Sequence, residues 1–153
     1  MSEEISPSGK RILMHSVSVS KLQAEDAFGW MLGSPSFCEY DSKDFLDERG
    51  IKEKDREQFV WEYDKVSLDK DSMTFAFPHS QEVFNEIIYD LERLLDIIQD
   101  DLDWYGSPKV YVDPMDASRL KSEDLIQLKI RKRARRSVLD LIRKIRKAYG
   151  REG

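Results

Sequence analysis

The sequence predicts an α+β fold: a small, mostly antiparallel sheet of about four short strands, packed by two long amphipathic helices and two shorter ones. Three observations carry that expectation. Residues 80–106 hold apolar side chains at helical spacing over an acidic opposite face. Short runs rich in β-branched and aromatic residues recur at 11–19, 58–68, 73–77 and 109–113. Residues 129–149 repeat the helical apolar stripe beneath a dense basic face.

In chain order, residues 1–10 are polar, contain Pro7 and Gly9, and read as a disordered tail. A single domain is expected over 11–149. The run 11–19 alternates as a strand, with Leu13, His15, Val17 and Val19 on one face. Ser20 and Gln23 form a capping-box pair that opens a helix reaching about Leu32, ended by Gly33 and Pro35. Asp41 or Ser42 caps a short helix closed by Gly50.

Phe59, Trp61 and Tyr63 then alternate with Val60, Glu62 and Asp64. That period predicts a strand over 58–68, paired as a hairpin with 73–77. Ser80 is the expected N-cap of the long acidic helix. Val83, Phe84, Ile87, Leu91, Leu94, Leu95, Ile98, Leu102 and Tyr105 lie on its core face, and Glu86, Asp90, Glu92, Asp96, Asp100 and Asp103 mainly on the other. Gly106 is expected in a left-handed C-cap, with Pro108 forbidding continuation. A fourth strand is expected over 109–113 and the basic helix over 122–149.

Of 153 residues, 40% are hydrophobic and 36% charged, and the net charge of −5 conceals a strong polarity. Residues 1–118 hold 12 Lys/Arg against 26 Asp/Glu, whereas residues 119–153 hold 13 against 4. Cys38 has no second cysteine to bridge to and fits a reducing compartment. With no secretory leader pattern and no long apolar run, a cytoplasmic, soluble chain is the expectation, without membrane attachment.

Chemistry is sparse. His15 and His79 are the two histidines, outside any metal-ligand spacing, and phosphate-cradling glycine loops and nucleophile elbows are missing. No catalytic residue, metal ligand, cofactor or small-molecule substrate is therefore assigned. The candidate site is instead the outward face of the basic helix: Lys129, Lys132, Arg133, Arg136, Arg143 and Lys147, with Arg131 and Arg135 at its margin. Such a face suits a protein partner, or a second copy offering its acidic helix, and the first expectation is a non-catalytic interaction or regulatory protein.

The alternatives are a nucleic-acid-binding regulator and an acid-metal enzyme built on Asp100, Asp101 and Asp103 or on Asp113 and Asp116. Against nucleic acid stands the acidity of the first 118 residues. Phe59, Trp61, Tyr63, Phe75 and Phe77 would serve base stacking only if exposed, and burial in the core is the expected state.

Overall fold

The computed structural model describes residues 2–108 and 114–150, with the backbone alone at 2, 36 and 114–116. The architecture is α+β, as the sequence predicts: one antiparallel sheet with helices packed on it. Strands β1 (Ser2–Ile5), β2 (Arg11–Ser18), β3 (Ser67–Asp69) and β4 (Thr74–Pro78) lie in the order β1-β2-β4-β3. His15 pairs with Phe77 and Val17 with Phe75, so these four share the face that meets the helices.

The expected N-terminal tail is corrected. Ser2–Ile5 pairs with β2 from Ser2↔Met14 to Ile5↔Arg11. Gly9, at φ +83°, takes the left-handed conformation between them, a geometry that an L side chain resists. Its N–H donates to the Ser6 carbonyl at 2.9 Å.

The capping box at Ser20 forms in full. The Ser20 N–H donates to Gln23 Oε1 at 2.9 Å, and the Gln23 N–H donates to Ser20 Oγ at 3.1 Å. A π-helical turn, Gln23–Ala27, runs straight into α1 (Phe28–Leu32), and Gly33 is its C-cap. A short turn, α2 (Pro35–Cys38), precedes α3 (Lys43–Glu48), whose N-cap Ser42 accepts from the Phe45 N–H.

The expected strand over 58–68 is wrong for most of its length. Glu53–Asp64 is a helix, α4, and only Ser67–Asp69 joins the sheet. The residues before 58, rich in Glu, Lys and Arg, start the helix. Once nucleated, it propagates through the aromatics at one hydrogen bond per residue. Phe59 and Tyr63, one turn apart, are buried together, with ring centroids 5.5 Å apart. Trp61 is half-buried, with Lys65 Nζ 4.8 Å from its ring centre. The hairpin survives in shorter form, with Asp69 opposite Thr74.

Helix α5 (Gln81–Gly106) is capped by Ser80 as expected. Its far end differs: Gly106 is still helical, and the C-cap is Ser107, whose Oγ donates to the Trp104 carbonyl at 2.7 Å. Helix α6 (Pro114–Gly150) begins earlier than residue 122 and is continuous for 37 residues, about 55 Å at 1.5 Å per residue. Pro114 starts this helix, where a missing N–H costs nothing. The strand expected over 109–113 falls outside the described residues.

The core lies between the sheet and the α5–α6 pair. Phe28, Phe75 and Phe77 meet Val83, Ile87 and Leu91 of α5 and Val138, Leu141, Ile142 and Ile145 of α6. Asp90 overturns its expected place on the solvent side of α5. It is fully buried and accepts from Ser34 Oγ at 2.9 Å.

Candidate interaction surface

Helices α5 and α6 run antiparallel, joined by hydrogen bonds and ion pairs along their lengths. At the sheet end, Tyr149 stacks on Phe84 (centroids 4.1 Å apart) and on His79 (4.5 Å), and its hydroxyl donates to Gln81 Oε1 at 3.0 Å. In the middle, Arg146 donates to Glu92 at 2.9 Å. Farther out, Arg131 donates to Asp101 at 3.3 Å, and Leu128 lies beside Gly106. The acidic helix does meet the basic one, but through Arg146 and Arg131 rather than through the six candidate residues.

Those six, Lys129, Lys132, Arg133, Arg136, Arg143 and Lys147, are all exposed. Among the described residues, Arg143 is the member with an ion pair, to Asp140 one turn back on its own helix, and the other five form none. The reason lies in the helical period. Ala134, Val138, Leu141, Ile145 and Tyr149 turn the apolar side of α6 inward, which forces the basic positions outward. On α5, Glu92, Asp96, Asp100 and Asp103 are likewise exposed. The hairpin thus presents an acidic helix and a basic helix side by side.

Asp140 shows how the two sides of α6 are tied together. Gln23 is buried, and its Nε2 donates to the Ser137 carbonyl and to Asp140 Oδ2, both at 3.0 Å. Lys144 Nζ lies 3.3 Å from Asp140 Oδ2 and donates to the Ser18 carbonyl at 3.1 Å. Burial works to raise the Asp140 pKa, but the hydrogen bonds from Arg143, Gln23 and Lys144 together hold it below the ordinary carboxylate value.

Comparison with protein-family models, curated proteins and solved structures returned no match to this chain.

The other candidate chemistries resolve as follows. Phe59 and Tyr63 on α4 and Phe75 and Phe77 on β4 are buried and Trp61 is half-buried, so these five aromatics form no shared exposed platform for base stacking. His15 and His79, far apart in sequence, share a 2.9 Å hydrogen bond between Nε2 and Nδ1. No spacing rule signals that pairing. Glu62 lies at the wall of a cleft of about 470 Å³, but both of its oxygens accept from the protein itself, from Ser80 Oγ at 2.7 Å and Gln58 Nε2 at 3.0 Å. Asp101 is engaged by Arg131 and Asp103 by Gln99. Among the described residues, no group of three or more His, Cys, Asp or Glu could hold a metal ion, and the side chains of Asp113 and Asp116 lie outside them. Among the same residues, no helix is long and apolar enough to cross a membrane.

Sequence reasoning missed one feature of this hairpin. Ile126 and Ile130, one turn apart on α6, are 55% and 48% exposed, and Ile97 on α5 is 39% exposed. The signal was present. Two isoleucines at i and i+4, off the main apolar stripe of so basic a helix, are costly to leave in water without a reason.

Proposed function

We propose that this chain is a non-catalytic interaction protein whose α5–α6 hairpin docks a protein partner, with the basic stripe of α6 as the contact. The carrying observation is that all six candidate cations are exposed while other basic residues, Arg131 and Arg146, serve the interhelix pairs. Apart from Arg143, which pairs with Asp140 on its own helix, the stripe takes no part in the protein's own ion pairs among the described residues and is available to carboxylates of another chain. Exposed ion pairs are worth about 0–1 kcal/mol each, so the stripe sets orientation and encounter rate more than affinity. The neighbouring acidic residues of α5 favour a protein with charges of both signs over a nucleic-acid backbone, which they would repel.

The test is a double reversal, Arg136→Glu with Arg143→Glu, in the full chain. Both residues are exposed, so the fold should remain by circular dichroism, while the denaturation midpoint falls modestly because Arg143 gives up its pair with Asp140. Titration with a peptide that carries both a glutamate block and a lysine block, and with duplex DNA, at physiological salt separates the partner classes. The reading expects peptide binding that the reversal abolishes, and weak DNA binding. DNA binding that exceeds peptide binding, with a steep salt dependence flattened by the reversal, would instead establish the nucleic-acid alternative.

A further inference from the structure

The α5–α6 hairpin is longer than the body it packs on. The last buried side chain of α5 is Ile98 and, among the described residues, the first of α6 is Val138, so residues 99–106 of α5 and 117–137 of α6 form a two-helix arm with Ile97 at its base. Within the arm, Leu102 and Ala134 are only partly buried.

One side of this arm continues the side that meets the body. On α5, Asp90 reaches Ser34 of the body, and positions seven and fourteen residues on are Ile97 and Trp104. On α6, Lys144 reaches the Ser18 carbonyl and the Ser137 carbonyl accepts from Gln23. The position seven residues before Ser137 is Ile130, with Ile126 one turn farther out. A seven-residue step returns a helix to nearly the same side. The contact side of each helix therefore runs past the edge of the body and there carries exposed apolar residues, Ile97 on α5 and Ile126 and Ile130 on α6. Trp104, 59% exposed, lies on the same side.

The flanking charges say what covers it. On α5, exposed Asp96 and Asp100 sit beside Ile97; on α6, exposed Lys129 and Arg133 sit beside Ile126 and Ile130. We infer that a second copy of this chain docks on the arm, with α5 of each copy against α6 of the other, as a two-fold four-helix bundle. In that arrangement Ile97 faces the isoleucines of the partner's α6, and the acids flanking one helix meet the bases flanking the other. The alternative, α5 on α5, sets Asp96 and Asp100 against their own copies and is disfavoured by like charge. A two-fold contact is self-complementary, and an arm with one acidic and one basic helix satisfies that requirement by itself. The inference shares Lys129 and Arg133 with the basic stripe but makes no use of Arg136 and Arg143, whose reversal should leave the dimer intact.

Sedimentation velocity of the full chain, from low to high micromolar, should show a concentration-dependent dimer. Ile97→Glu with Ile130→Glu should give a monomer with unchanged circular dichroism, because both residues are already partly in water. A second pair of variants keeps the apolar positions. Asp96→Lys with Asp100→Lys, and separately Lys129→Glu with Arg133→Glu, should each weaken self-association about tenfold or more, and mixing the two should restore it as a heterodimer. A wild-type monomer throughout the range, a dimer that persists in the isoleucine variant, or a mixture that fails to associate would each overturn the inference.

Discussion

The hydroxyl of Ser34 donates a 2.9 Å hydrogen bond to the carboxylate of Asp90, which is fully buried on α5. The bond ties the start of α2 to the middle of the longest core-lining stretch of α5. It also places a carboxylate where the sequence pattern alone expects a solvent-facing acid.

Asp90→Ala should therefore cost about 1–3 kcal/mol, the range for leaving a buried hydrogen-bonding group without its partner. Asp96→Ala, on an exposed position of the same helix, should change stability by no more than about 0.5 kcal/mol. Urea denaturation at constant m-value distinguishes them. Equal midpoints for the two variants would mean that Asp90 is not held as described.

Leu141 and Leu139 make a second contrast, two residues apart on α6. Leu141 is fully buried among the core residues, whereas Leu139 is 40% exposed. Leu141→Ala should cost about 2–5 kcal/mol, because transfer and cavity effects add. Leu139→Ala should cost less than about 1 kcal/mol. A reversed order would show that α6 is rotated about its axis.

The pH dependence of stability should carry the signature of Asp140. Its native pKa lies below the ordinary 3.8. A carboxylate with a depressed native pKa contributes stability that is present in full above its unfolded value. That contribution is lost as the pH falls from there through the native value. Asp140→Asn should thus be less stable than the wild type at neutral pH, with the difference shrinking as the pH falls below about 4. A difference that stays constant into strong acid would show that the carboxylate charge plays no part.

Local rules made several features legible. Ser20 with Gln23, Ser42 and Ser80 announce helix starts, because a side-chain oxygen at each satisfies a backbone N–H that has no intrahelical partner. The outward direction of Lys129, Lys132, Arg133, Arg136, Arg143 and Lys147 follows from the apolar period of α6 alone. The α+β class follows from the two helical periods and the short β-type runs.

What the sequence by itself determined was which stretches carry an apolar side and where the helices begin. Only the tertiary structure decided what each side meets. Phe59, Trp61 and Tyr63 fit a strand by alternation, yet Phe59 and Tyr63 also fit one side of a helix. The helix-forming residues before them and the core around Phe45 and Phe75 selected the helix. Ser2–Ile5 has no apolar pattern of its own, and the backbone of β2 gives it a place as an edge strand. Asp90 is an acid on a helix until Ser34, 56 residues earlier, arrives beside it. Ile126 and Ile130 belong to a helix that outruns its own core, and that depends on where the body stops. Secondary structure answers mainly to neighbours in sequence, whereas burial depends on neighbours in space, and a single helix period cannot name them.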